Sequence, residues 1–315
     1  MTTSSAAGVP GVEIQPGRSP ILYADAIADP EALRAFVAEH GSLYVRGLDL
    51  QSPGQVEATF RSFGALVTER EAFAPRKEYA QGVYSASQWP PNQPMCMHHE
   101  LSYVLEPPSL MLFACLTAPL ANGATTLADA ATILDALPID LVDRFDRVGW
   151  QLVRTYNEDI GASLPEAFGT SDQRIIESYC RAHAIDFEWR DGVLHTRQLR
   201  NAIVRHPVTG RRCWFNQIAF LNEWTLAPEV REYLVDVYGE DGLPFNTRFG
   251  DGEPIGPDVV QQINAAYEAN TRREPWQPGD LLLVDNVRTA HAREPFEGTR
   301  ELVVAMADPV RLITS

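Results

Sequence analysis

The apolar runs of this 315-residue chain are short, widely spaced and out of step with its helical stretches, and that spacing sets the fold class. Runs rich in leucine, β-branched or aromatic residues fall at 43–46, 110–116, 150–156, 213–215, 281–284 and 302–306, each of strand length. Helices show themselves by their ends. Asp29 and Pro30 read as a cap and a first helical residue, Leu33, Phe36 and Val37 share a face, and Gly41 stops the helix. Ser52, Pro53, Val56, Phe60, Phe63 and Gly64 repeat that grammar, and further helical stretches fall at 129–148, 228–238 and 257–269. Strands that do not alternate with helices argue against a wound βαβ sheet and for a sandwich or barrel with accessory helices. Residues 1–19 are small, polar and broken by Gly and Pro. They predict a flexible N-terminal arm ahead of one domain over 20–315 with helical insertions.

Composition then closes several functions. Twenty-six basic against 42 acidic residues give a net charge of −16, the wrong sign for following a nucleic-acid backbone or an anionic membrane. Lys77 is the sole lysine, which leaves Schiff-base chemistry and a phosphate-binding P-loop without their essential residue. The other 25 basic residues are arginines, suited to binding carboxylates. Cys96, Cys115, Cys180 and Cys213 form no CxxC pair and read as reduced packing residues. The N-terminus has no signal-peptide pattern, and the run 110–116 is far shorter than the roughly 18 residues that span a bilayer. A cytoplasmic location is expected.

The sharpest local feature is Met95-Cys96-Met97-His98-His99-Glu100-Leu101-Ser102-Tyr103. In a strand, His98 and Glu100 would face one way and His99 the other, giving two of the three ligands of a 2-His-1-carboxylate metal site. Seven histidines among 42 acids produce about one such pair by chance, so the motif needs a partner. A zinc-protease HExxH reading fails because its fifth position is Tyr103. The sulfurs of Met95, Cys96 and Met97 suit a core better than a copper site. The partner stretch is Gly279-Asp280-Leu281-Leu282-Leu283-Val284-Asp285-Asn286, followed by Thr289-Ala290-His291 and, further on, Arg300. His291 at the end of a buried strand supplies a candidate third ligand, and Arg300 a guanidinium that can fork onto a carboxylate beside the metal.

Taken in order, His98-x-Glu100, the GGxT-like Asn122-Gly123-Ala124-Thr125, Trp214-Phe215-Asn216, Gly250-Asp251-Gly252, the stretch 279–286 and His291-x-Arg293-x-Pro295-Phe296-x-Gly298-x-Arg300 resemble the TauD/TfdA-type Fe(II)/2-oxoglutarate-dependent oxygenases over about residues 40–309. The likeness is greatest to the SyrP-like branch, which hydroxylates amino-acid building blocks in peptide natural-product pathways. It implies a double-stranded β-helix, a cupin-like jelly roll flanked by helices. It implies iron held by His98, Glu100 and His291, and 2-oxoglutarate held by Arg300 with help from Thr125, with O2 as the oxidant. His99 stands where relatives often have Asn, and Ala292 replaces a Gly, but no ligand is lost. Val304 stands where the taurine branch carries an arginine, which argues against taurine. Halide-transferring relatives have a small residue at the Glu100 position, so hydroxylation is expected over halogenation.

The expected substrate is a small acidic or amino-acid-like molecule, free or tethered to a carrier protein, in natural-product biosynthesis. Arg293, Arg205, Asn216 and Tyr103 are the candidate substrate contacts, with Trp89 a further pocket-lining candidate and about 157–200, with its scattered charges, read as a loop that forms a candidate lid. Desaturation or ring closure could use the same site. A zinc hydrolase or a non-catalytic jelly-roll binding module are the alternatives from other classes, and a homo-oligomer stays open.

Overall fold

Strand Leu281–Asp285 is buried along its whole length, and successive side chains of a strand point to opposite faces. Leu281 and Leu283 therefore join a core with Leu33, Phe36 and Val37 of helix Pro30–His40 and Val56, Phe60 and Phe63 of helix Pro53–Phe63. Leu282 and Val284 join a second core with Tyr44, Met111, Phe113 and Met306. A sheet covered on both sides explains why its strands read as continuous apolar runs. The computed structural model describes residues 9–23, 29–68, 73, 76–87, 89–157 and 159–314.

This large sheet has seven strands, in the order Ile21–Tyr23, Ser42–Arg46, Leu281–Asp285, Pro108–Thr117, Glu301–Pro309, Val83–Ser85 and Glu78–Ala80. The first pair is parallel and the others antiparallel. Against its inner face lies a three-stranded sheet of Met95–His98, Thr289–Arg293 and Thr125–Asp129. Phe113 of one sheet meets His291 of the other edge-on, with ring centroids 5.4 Å apart. The two sheets form the jelly roll that the sequence predicts, with helices packed around it.

The helix ends follow their chemistry. Asp29 and Ser52 cap the first two helices by accepting from Ala32 and Gln55 backbone N–H groups. The stretch 129–148 is two helices, Ala130–Ala136 and Ile139–Val148, because Pro138 holds Leu137 in an extended conformation. The stretch 157–200 is not a loop. It carries helices Leu164–Phe168 and Gln173–Ala182 and the hairpin Asp186–Arg190 and Val193–Arg200, which joins Trp150–Tyr156 and Phe245–Phe249 in a four-stranded sheet. Its alternation runs through polar residues, with Leu194, Thr196 and Gln198 buried and Arg197 exposed, so no apolar run marks it. Residues 1–8 of the expected arm lie outside the described residues. From residue 9 onward, Val9 and Val12 pack on the helix-side core, Glu13 pairs with Ile21, and Arg18 binds Glu274 at 2.7 Å. Cys115, Cys180 and Cys213 are buried, Cys96 is partly so, and all four are free thiols. Among the described residues no helix is long and apolar enough to cross a membrane.

Beneath the inner face lies a buried ionic cluster. Arg46 bonds Glu274 at 2.8 Å and approaches Asp280 at 3.4 Å. Burial pushes the Asp280 carboxyl up to about 6, more than the Arg46 cation and the Gln277 N–H pull it down. Between an unfolded value of about 4 and the folded one, the folded chain binds more protons, so this group's contribution to stability grows as pH falls through that window. Asp280→Asn is therefore expected to melt above the wild type at about pH 7, with the gap closing toward about pH 4, in paired thermal melts. A gap that widens on acidification would contradict the assignment.

Candidate metal centre

His98 ends strand Met95–His98 directly opposite His291 on strand Thr289–Arg293. Strand alternation sends His99 to the other side, where it is fully buried against Phe215 and donates from Nδ1 to the Asn286 carbonyl at 2.6 Å. Burial lowers the His99 imidazole to about 3, so it stays neutral. Glu100 is placed otherwise than the sequence spacing suggests. The strand stops at His98, and Glu100 lies in a tight turn whose next residue, Leu101, has a left-handed φ of 51°. For a branched apolar residue that conformation is strained and must be held from outside. Asn286 holds it: its Oδ1 accepts from Glu100 N at 2.8 Å, and its Nδ2 donates to the carbonyls of Glu100 at 2.9 Å and Pro108 at 2.8 Å.

The result is a three-residue cluster. His98, Glu100 and His291 are buried, and each offers a ligand atom within 4.8 Å of the others. Glu100 Oε2 is 3.7 Å from His98 Nε2 and 3.5 Å from His291 Nε2. His98 Nδ1 donates to the Cys96 carbonyl at 2.8 Å, which leaves its Nε2 lone pair facing the cluster. The His98 ring is stacked on Phe220 at 4.5 Å. Burial and the neighbouring His98 lower His291 to about 4. Burial alone would raise the Glu100 carboxyl, but the Arg76 guanidinium and the two imidazoles hold it well below the usual carboxylate range. The His291 imidazole is therefore neutral and Glu100 ionised, the states that bind a metal, and two imidazoles with one carboxylate suit a divalent iron with open positions.

The same cavity continues to Arg300 and Thr125, lined on the way by Phe113, Leu302 and Val304. Arg300 Nε donates to the Gly123 carbonyl at 2.9 Å and Nη2 to Thr125 Oγ1 at 3.3 Å. Burial and then Arg293 lower the Arg300 guanidinium to about 10, so it remains a cation. Thr125 Oγ1 also accepts from Trp276 Nε1 at 3.3 Å. An arginine N–H and an indole N–H can only donate, so the threonine hydroxyl accepts both and keeps its own proton for a third partner.

Of the expected substrate residues, only Arg293 lines this cavity. Its guanidinium is bound to the carbonyls of Trp89, Pro90 and Gln93 at 3.0, 2.6 and 2.7 Å, which ties down the segment before His98. Trp89 itself donates to the Pro94 carbonyl in that segment. The other three are corrected by the structure. Arg205 is exposed on a hairpin and donates to the Gly210 carbonyl. Asn216 is buried, and its amide serves the Ala202 carbonyl and the Ile218 N–H. Tyr103 is a core residue against Phe73, with its carbonyl accepting from Arg200. Polar residues whose groups are satisfied by nearby backbone look the same in sequence as ligand contacts. Sequence reasoning in turn missed Arg76, which lines the cavity, and the part played by the Asn286 amide. A larger cavity of about 350 Å³ on the open face of the four-stranded sheet, lined by Arg190, Arg197 and Arg248 among others, includes none of the expected site residues.

Comparison with known proteins shows the family and the fold. The family described as Taurine catabolism dioxygenase TauD, TfdA family, matches residues 15–306. The chain is 33% identical over 305 residues to the dapdiamide synthesis protein DdaC of Enterobacter agglomerans, spanning 96% of this chain and 93% of that protein. It is 26% identical over 287 residues to a clavaminate synthase-like protein of Arabidopsis thaliana, spanning 87% and 83%. Among solved structures, PvcB from Pseudomonas aeruginosa matches with a TM-score of 0.57 at 14% identity over 100% of both chains, a likeness of fold alone.

Asn286→Ala would leave the buried Glu100 N–H without its acceptor. It is expected to cost about 2–4 kcal/mol of stability and to weaken Mn(II) binding by about 10- to 100-fold, read by denaturant melts and calorimetric titration. Unchanged metal affinity in a folded Asn286→Ala protein would contradict the clamp.

Proposed function

This chain belongs to the TauD, TfdA family and is an iron(II)- and 2-oxoglutarate-dependent non-haem dioxygenase that uses O2 on a small molecule, and on that premise we propose that it hydroxylates an unactivated C–H bond of a small acidic or amino-acid-like metabolite. One observation carries the reading: the His98, Glu100 and His291 cluster and the Arg300–Thr125 pair open onto one buried cavity. In this reading His98, Glu100 and His291 hold the iron, and Arg300 and Thr125 bind the distal carboxylate of 2-oxoglutarate. When bound, the iron would supply the activation of dioxygen, one oxygen atom going into the succinate formed as the keto acid loses carbon dioxide and the other into the substrate.

The chain's own residues do the rest. Arg300 offers its remaining N–H donors and Thr125 its hydroxyl proton to the carboxylate, in a cavity wall where burial strengthens both bonds. Phe113, Leu302 and Val304 keep water from that end. Glu100 occupies the third protein position with a carboxylate, which favours hydroxylation over halide transfer. Likeness to a dapdiamide synthesis protein supports a place in natural-product biosynthesis, in the cytoplasm, with the substrate free or carried on a protein. Neither a zinc hydrolase nor a metal-free binding module would use the Arg300–Thr125 pair.

The first test is anaerobic visible absorption with Fe(II), before and after 2-oxoglutarate. A weak charge-transfer band that is lost in His98→Ala and His291→Ala is expected, and its absence despite stoichiometric iron would overturn the reading. In turnover, Arg300→Ala should raise the apparent KM for 2-oxoglutarate by about 10- to 100-fold, the loss of a charge-assisted carboxylate contact. Unchanged co-substrate dependence would remove Arg300 from that role.

A further inference from the structure

Glu100 divides its two oxygens between different partners. Oε2 faces the imidazoles of His98 and His291. Oε1 accepts from Arg76 Nη2 at 3.2 Å. A contact made only to neutralise charge would be served by either oxygen, yet here the guanidinium takes the one that the imidazoles do not. Arg76 is itself braced, with Nε donating to Ser87 Oγ at 3.2 Å and a side chain only 10% exposed. The two residues flank the hairpin of Glu78–Ala80 and Val83–Ser85. The base of that hairpin is closed by Ser85 N donating to the Lys77 carbonyl and Lys77 N donating to Ser85 Oγ. The strand Val83–Ser85 is hydrogen-bonded to Glu301–Pro309 of the large sheet. Arg76 thus reaches Glu100 from the base of a hairpin at the edge of the large sheet.

We propose that Arg76 is a positioning residue that keeps Glu100 a one-oxygen metal ligand. The inference rests on the reading of His98, Glu100 and His291 as the iron ligands. A carboxylate can bind a metal through one oxygen or both. Three single-atom protein donors leave three positions on a six-coordinate ion, two for the keto acid and one for dioxygen. Glu100 binding through both oxygens would take one of those three. With Oε1 held by Arg76 and Oε2 facing the imidazoles, the carboxylate is oriented for one-oxygen binding before any metal arrives. Arginine suits the task because it stays charged and donates from a planar, fixed fork.

The test loads the protein anaerobically with Fe(II), titrates 2-oxoglutarate by the visible charge-transfer band, and then adds nitric oxide, an uncharged stand-in for dioxygen, followed by electron paramagnetic resonance. Arg76→Ala, in which the freed second Glu100 oxygen can take up a metal position, should bind Fe(II) within about threefold of the wild type but need at least about tenfold more nitric oxide as well as 2-oxoglutarate to saturate, with Arg76→Lys, which keeps donor and charge, restoring most of the loss. The nitric oxide arm separates a lost coordination position from a mere loss of positive charge. Arg76→Ala that saturates with nitric oxide like the wild type overturns the proposal, whatever its affinity for 2-oxoglutarate. So does a parallel fall in Fe(II) affinity and melting temperature that Arg76→Lys does not rescue, since the contact would then hold the fold and not the ligand. A wild type with no keto-acid band overturns the oxygenase reading, and this inference with it, so the two failures are told apart.

Discussion

A single buried amide joins the two halves of the site. Asn286 has no exposed surface, and its side chain bonds the N–H and C=O of Glu100 and the C=O of Pro108, while its own carbonyl takes the His99 imidazole. Its side chain thus bonds a backbone 186 positions away. It does so at a strained turn, where Leu101 is in a left-handed conformation and the Ser102 N–H donates to the His99 carbonyl. Without those bonds Glu100 would carry an unsatisfied N–H in the interior, and the turn that aims its carboxylate would be left to the Ser102 N–H and the Gln217 amide, which both donate to the His99 carbonyl.

The turn that carries Asn286 is fixed from every side. Asp285 Oδ1 accepts from Val287 N and Arg288 N, and its Oδ2 accepts from His206 Nε2 at 2.9 Å. His206 can donate there because its Nδ1 is already accepting from the backbone of Thr209. Arg288 reaches Asp129, the cap of helix Ala130–Ala136, at 3.1 Å, and Thr289 donates to the Gly41 carbonyl. Two residues further on stands His291. These contacts fix the backbone from which the His291 side chain enters the cavity.

Charge is distributed against the overall balance. The chain carries −16, yet the cavity around the cluster is lined by Arg76, Arg293 and Arg300, with Glu100 as its one carboxylate among the described residues. A net negative surface turns away polyanions, whereas a buried set of guanidiniums can hold small ones, since low polarity strengthens each contact. The three arginines divide the work: Arg293 fastens the segment before His98, Arg76 faces Glu100, and Arg300 is directed with Thr125 into the far end.

The sequence alone determined the sandwich-or-barrel class, the capped helices and the candidates His98, Glu100, His291 and Arg300, with the jelly roll and Thr125 coming from the family resemblance its motifs carry, and the structure lines one cavity with these five side chains. It could do so because metal and carboxylate chemistry demand particular side chains in short motifs, and a sheet covered on both faces demands apolar runs. Only the tertiary structure decided that Glu100 is aimed by a turn and an amide clamp instead of strand alternation, and that Arg76 belongs to the site. Only it showed Arg205, Asn216 and Tyr103 serving the backbone elsewhere, and the polar stretch 157–200 forming helices and strands. The reason is physical: what a polar side chain does depends on which donor or acceptor lies at its tip, and for these residues the partner is brought there by segments distant in sequence.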